Sequence, residues 1–221
     1  YHRHFKYMNK QSVLYGSIIG LVLFAGYAFQ TIGLKYTKAS SSAFITSLSV
    51  VFVPILWSIK TRKAPHVKTI LSVLLATIGL AFMTLDSSLG IGKGDVLTLI
   101  CSLCFALSII LIDFFTAKEN PITLVIIQIG VVSALSFVFT LIFDHNSGSL
   151  SNQLTQDVVF ALAITGIFAT ALAILIQNKA QKLTTPTHTA LIFSTEPVFA
   201  AITSYILLKE KMTTKNIWGG V

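Results

Sequence analysis

Charge is scarce in this sequence. Only 11% of the 221 residues are Asp, Glu, Lys or Arg, against about 25% in an ordinary soluble domain. Acids are the rarer sign, eight against sixteen basic residues. That shortage excludes a soluble globular domain and a charged, disordered tail. Cysteine is nearly missing. The two present, Cys101 and Cys104, form a CxxC inside the apolar run LTLICSLCFALSIILI. A redox or zinc CxxC works through thiolates, which hydrocarbon disfavours, so packing is the expected role. Catalytic signatures are missing as well: GxSxG, HExxH and a phosphate loop do not occur, and no Ser/His/Asp grouping falls at one depth. The GIGKG stretch at 90–94 lacks the Lys-Ser/Thr ending that a nucleotide loop needs. An enzyme and an ATP-driven pump are therefore not expected of this chain alone, and no cofactor or metal is implied. The N-terminal decapeptide is basic and aromatic, without a cleavable signal pattern.

What is abundant is apolar length. Hydrophobic residues make up 54% of the chain, and the mean hydropathy is +0.80. They fall in runs of the roughly 20 residues that cross a ~30 Å hydrocarbon core. Seven complete spans are expected, at about 12–34, 42–59, 69–85, 95–116, 122–143, 158–176 and 189–208. An eighth begins in NIWGGV at 216–221. The fold class is an all-α membrane protein, a multi-span helical bundle. The net charge of +8 sits in short loops with no basic stripe interleaved with aromatics, so nucleic acid is not an expected partner. With the first helix starting in the cytoplasm, ten Lys/Arg fall inside and six outside, the loop KTRKAPHVK at 60–68 weighing most.

An internal repeat organises the chain. Lys35 and Lys182 stand 147 residues apart, and at that offset 30–59 and 177–206 align without a gap. Ten of the thirty positions are identical, among them Gln30/Gln177, Ala43/Ala190, Ser47/Ser194 and Phe52/Phe199. Apolar bias alone would give roughly three, so the duplication is real. Carried to both ends, the offset places about fifty residues ahead of Tyr1 and about eleven beyond Val221 in a complete five-plus-five arrangement. Five spans per repeat is odd, so the halves have opposite orientations, the inverted-repeat plan of many secondary transporters. Residues 1–86 are read as the C-terminal part of the first repeat and 94–221 as the second.

Several polar residues stand where lipid would disfavour them. Glu196 is near the middle of the last complete span, followed by Pro197, and a carboxylate there costs on the order of 2.5–3.5 kcal/mol unless it faces a cavity or partner. Thr203 shares its helical face, and Ser42, Thr46 and Ser49 occupy the repeat-equivalent positions of Thr189, Phe193 and Glu196. These line up as a substrate-binding or coupling set, with a buried, hydrogen-bonded Glu as the structural alternative. Tyr27 could stack on a solute, and Gln30, Gln177, Gln128 and Asp113 could line the path. For the Gln30/Gln177 pair interhelical bonding is the competing role, and for Asp113 a contact with Lys118. Gly16 and Gly20 read as helix-packing positions, His188 as an interfacial residue.

The phrases GLKYTKASSSAFITSLSVVFVP (33–54), IGKGDVLTLICSLCFALSIILID (91–113) and QNKAQKLTTPTHTALIFSTEPVFAAITSYILLKEKMT (177–213) resemble EamA-type permeases of the drug/metabolite transporter superfamily. The resemblance covers essentially the whole chain. It implies ten helices in two inverted repeats, cytoplasmic termini, and export or exchange of small organic solutes by alternating access. The expected partners are a small-molecule solute and the lipid bilayer, with homo-oligomerisation left open. The expected location is the plasma membrane, of the bacterial inner-membrane kind, as a multi-pass protein. A non-transporting fragment, a structural or sensory membrane subunit and an intramembrane enzyme are the competing readings.

Overall fold

The computed structural model describes residues 9–37, 39–84, 92–143 and 155–207. The expected eighth helix, most of the 86–95 and 144–157 loops, and the basic residues Arg3 and Lys6 lie outside them. Every regular element among the described residues is helical. Helix α1 is Lys10–Gly33, α2 Ala39–Ser47, α3 Ser49–Thr61, α4 Val67–Thr84, α5 Lys93–Thr116 and α6 Pro121–Phe143. Next come α7 Gln156–Ile164, a π-helical turn at Thr165–Leu172 and α8 Ala173–Gln181, then α9 Pro186–Phe193 and α10 Glu196–Leu207. Five stretches are long and apolar enough to cross a membrane: Lys10–Gly33, Ser41–Thr61, Lys93–Thr116, Pro121–Phe143 and Val158–Gln181. The other two expected spans are α4, whose apolar part is the shorter Val67–Gly79, and the α9–α10 pair.

The repeat-equivalent spans are not continuous, as the sequence reading had them. Each breaks in its middle, at the same place. Leu48 N–H bonds to the Ile45 carbonyl, Val51 N–H to Leu48 and Phe52 N–H to Leu48. In the second copy Thr195 N–H bonds to Ile192, Val198 N–H to Thr195 and Phe199 N–H to Thr195. Each bond recurs 147 residues later. A tightened i→i−3 turn ends one half-helix, and the next half-helix starts after Leu48 in the first copy and after Ser194 and Thr195 in the second. Pro197 has no N–H to give the Phe193 carbonyl, which agrees with α9 ending there. Its counterpart Val50 does have one, so proline is not the shared cause. The shared feature is a serine that bonds back into its own helix: Ser47 Oγ donates to the Ala43 carbonyl at 2.8 Å and Ser194 Oγ to the Leu191 carbonyl at 2.7 Å. Such back-bonding bends helices.

The chain divides into two compact units, each built from both repeats: residues 1–24 with 112–183, and 25–111 with 184–221. In the second unit Val50, Val53, Ala106, Ile109 and Ala190 form an apolar core, with Leu56 and Leu191 packed on it. Helix α3 packs on α9, and the C-terminal residues of α3 share a cavity wall with the N-terminal residues of α9. The equivalent spans α2–α3 and α9–α10 therefore run antiparallel, as an inverted repeat requires. Their two breaks come to one level. Helix α9 starts cleanly: the Thr185 side chain accepts from His188 N–H and Pro186 follows at N1. Helix α5 starts at a corner. Asp95 Oδ1 accepts from Thr37 Oγ1 at 2.5 Å and Oδ2 from Gly92 N–H at 2.8 Å. A Cβ on Gly94 would come within 2.7 Å of the Gly33 carbonyl oxygen, so the two turns meet backbone to backbone.

In the other unit α1 packs closely on α6. A Cβ on Gly16 would lie 2.7 Å from Ile127 Cβ, and one on Gly20 2.9 Å from the Gln128 carbonyl oxygen. These glycines serve packing, as expected. Asn9 caps α1, its Oδ1 accepting from Ser12 N–H at 2.6 Å. Glu119 ties that end to the α5–α6 turn by accepting from Ser12 Oγ at 2.6 Å and Asn9 Nδ2 at 3.1 Å. Tyr15 stacks on Phe115 at 4.2 Å. Helix α8 packs on α6, burying Ile174, Asn178 and Gln181 along one face. The π turn has no buried residue, and Phe160, Ile167 and Phe168 in and beside it display apolar surface suited to lipid. Thr170 Oγ1 donates five residues back to the Thr165 carbonyl. Gly166, Thr170, Ala173 and Gln177 would share one face at α-helical spacing, which the wider π winding does not keep.

Candidate functional site

Around the two breaks of the second compact unit, one polar band gathers residues from several helices. Thr46, two residues before Leu48 at the first break, is its hub. The Thr46 hydroxyl accepts from Gln30 Nε2 of α1 at 3.5 Å, and the Thr46 carbonyl accepts from Ser102 Oγ of α5 at 3.1 Å. The hydroxyl is also within hydrogen-bonding reach of the Cys101 thiol. Ser42 lies one turn earlier, 2% exposed, and its hydroxyl has no partner. Tyr27, on the same helix as Gln30, meets Phe105 edge-on at 5.4 Å. Its hydroxyl lies within electrostatic range of the Glu196 carboxylate. Ser49 and Glu196 each open the half-helix after a break. A carboxylate in a first helical turn is favoured by the helix dipole.

Most expected site residues thus fall within one unit: Tyr27, Gln30, Ser42, Thr46, Ser49, Glu196 and Thr203. A hydrogen bond joins Gln30 to Thr46, and Tyr27, one turn from Gln30 on α1, lies within electrostatic range of Glu196. Thr203 is exposed and its hydroxyl donates to the Phe199 carbonyl at 2.8 Å, satisfied within its own helix. Glu196 is itself exposed, so it meets solvent, solute or lipid rather than a packed interior. Asp113, Gln128 and Gln177 belong to the other unit. Gln177 and Asp113 are half-buried. Lys118, considered as a partner for Asp113, places its Nζ 3.9 Å from the Phe114 ring centroid. Gln128 is fully buried, and both atoms of its amide lack a partner.

Residues that the sequence reading passed over belong to the band. Cys101, expected as a packing residue, and Ser102, which has no role in the sequence analysis, are both fully buried beside Thr46. Their signal was faint. Thr98, Cys101 and Ser102 fall at three-to-four spacing and make a stripe of small side chains on α5, with Phe105 next along the same face. The Cys101 and Cys104 thiols are both free.

A family profile described as "EamA-like transporter family" matches residues 2–85 and 92–221. The chain belongs to that family. An uncharacterized transporter of Archaeoglobus fulgidus is 35% identical over 207 residues, 92% of this chain and 64% of the relative. YyaM, an uncharacterized transporter of Bacillus subtilis, is 27% identical over 205 residues, 90% of this chain and 66% of its own length. The chain thus spans just under two thirds of the length of these curated relatives. A protein of known crystal structure superposes with a TM-score of 0.77 at 11% identity, covering 94% of this chain and 80% of the other, which identifies a shared fold. For this EamA-like transporter family chain, the apolar spans and the family together establish a multi-pass membrane protein.

Proposed function

We propose that this chain forms the core of a secondary transporter of small organic solutes, working by alternating access between its inverted repeats. The observation that carries the reading is the pair of matched breaks. Two antiparallel, repeat-equivalent spans are interrupted at one level, where a carboxylate, a phenol, an amide and hydroxyls converge from separate helices. Discontinuous helices at mid-depth are how secondary transporters free backbone and polar groups for a solute. In this reading Glu196 attracts a cationic group of the solute or carries a coupling proton. Tyr27 offers an aromatic face, and Thr46, Gln30, Ser42 and Ser49 orient the solute by hydrogen bonds. Gln177, Gln128, Asp113 and Thr203 are secondary candidates for the path. No bond-making chemistry is part of the proposal, and the plasma membrane is its setting.

The test is flux. Cells overproducing the full-length protein are screened for changed tolerance to amines, amino acids and drugs, and each hit is measured as flux in proteoliposomes. Solute movement above empty liposomes, lost in Glu196→Gln, is the expected result. Protein-bearing and empty liposomes behaving alike for every hit would overturn the transporter reading. Unchanged flux in Glu196→Gln would remove Glu196 from the site.

A further inference from the structure

A second feature lies away from the polar band, at the end of the same unit where α3 finishes and α9 begins. A cavity of about 640 Å³ opens there, within the ~300–1,000 Å³ usual for small-molecule sites. Its walls come from both repeats. Trp57 and Thr61 of α3 and the turn residues Lys63 and His66 form one side, and Thr185 and His188 at the start of α9 form the other. The lining holds three groups that are or can become cationic and no carboxylate.

Local structure aims these groups. Arg62 ends α3 in the left-handed conformation, φ 54°, which turns the chain back so that Lys63 to His66 fold over the helix end. His66 Nδ1 accepts from the Lys68 N–H at 3.3 Å, which leaves Nε2 carrying the ring proton as a donor. His188 Nδ1 is engaged with Thr184 Oγ1 at 3.5 Å, which again leaves Nε2 as the outer nitrogen. Lys60 sits 4.8 Å over the Trp57 ring and adds positive charge behind the indole. The amino end of α9 carries the positive pole of its dipole into the same wall.

The geometry points to an anion-binding vestibule whose ligand has a carboxylate or phosphate group on an apolar, planar body. The charged end would meet Lys63, His66 and His188, and the body would lie against Trp57 and the ring of Pro54. Loop charge that only sets topology needs no cavity, and no histidine contributed from the far repeat. The claim concerns binding at this end of the unit, and it stands whether or not the polar band transports anything.

Trp57 is the built-in reporter, because the sequence holds one other tryptophan, Trp218. In a Trp218→Phe background, the purified chain in detergent is titrated with benzoate, benzamide, benzylammonium and inorganic phosphate while Trp57 emission is followed. Benzoate should give a saturable change that phosphate reverses by competition. Benzamide and benzylammonium should need at least tenfold higher concentration. Lys63→Gln with His66→Gln should weaken benzoate at least tenfold, and the single exposed change His188→Gln should weaken it less; the single variant also covers the case in which the double variant fails to fold. Equal binding of benzamide or benzylammonium, unchanged benzoate binding in the folded variants, or no saturable response to benzoate would each overturn the assignment.

Discussion

Ser49 and Glu196 occupy one position in two copies of a structure: each is the first residue of the half-helix that follows a break. The backbone bonds around them repeat one for one, yet one copy carries a hydroxyl and the other a carboxylate. The symmetry is broken chemically where it is kept structurally.

That asymmetry gives the first prediction. Glu196 is exposed, so Glu196→Gln should leave stability within about 0.5 kcal/mol, the usual range for surface changes. Its effect should fall on flux, by roughly tenfold or more, the equivalent of about 1.4 kcal/mol of lost interaction with a solute or proton. Melting in detergent and flux in proteoliposomes separate the two. A large loss of stability with flux per folded molecule unchanged would make Glu196 a structural residue.

The break itself is open to test through Pro197. A proline inside a continuous helix costs about 3 kcal/mol, and replacing it by Ala should recover that if proline made the break. The first copy argues otherwise, since Val50 stands at the equivalent place and the break is there all the same. Pro197→Ala should therefore change stability by less than about 1 kcal/mol, because a first-turn proline is well tolerated. Hydrogen exchange at the Thr195, Val198 and Phe199 amides should keep its pattern. A gain near 3 kcal/mol with stronger protection across Phe193–Val198 would show that proline, not the fold, interrupts the helix.

Those two residues also mark how far the sequence could be read. The repeat was legible because identities such as Ser47/Ser194 and Phe52/Phe199 survive at a fixed offset, and an odd span count then implied inversion. Glu196 was legible as a charge in a run that lipid should not hold. The breaks were not, because a tightened turn of apolar and hydroxyl residues has the same hydropathy as continuous helix. The π turn at Thr165–Leu172 was hidden for the same reason, its residues being ordinary span residues. Neither could the sequence show that Thr46 would be the hub, since its three side-chain and backbone contacts join positions 16 to 56 residues away. The vestibule escaped because Lys63 and His66 sit in a loop whose charge already had a sufficient explanation in topology.

Asp95 holds the corner that starts α5. Its two oxygens accept from the Thr37 hydroxyl and the Gly92 amide, a charge-assisted cap at a helix start. Asp95→Ala should cost about 1–2 kcal/mol, in the range of lost caps. Thr37→Val should cost less, because Gly92 keeps its acceptor. The double variant should fall short of the sum of the two single changes, since both remove one hydrogen bond. Additive losses in detergent melts would mean that the Thr37–Asp95 bond contributes nothing in the folded protein.

Gln128 is the residue whose environment fits its chemistry least. It is completely buried in α6, and neither its amide nitrogen nor its oxygen has a hydrogen-bond partner. Each such group left unmatched costs about 1–3 kcal/mol. Leucine has nearly the same volume and no polar atoms to satisfy, so Gln128→Leu should stabilise the folded protein by about 1–3 kcal/mol. An amide kept at that cost has a reason to be there. If it contacts passing solute, the more stable variant should move solute more slowly, a trade of stability for function. A stabilised variant with unchanged flux would make Gln128 a tolerated defect of packing. A destabilised one would mean that the amide is satisfied in the working protein, by water or by solute.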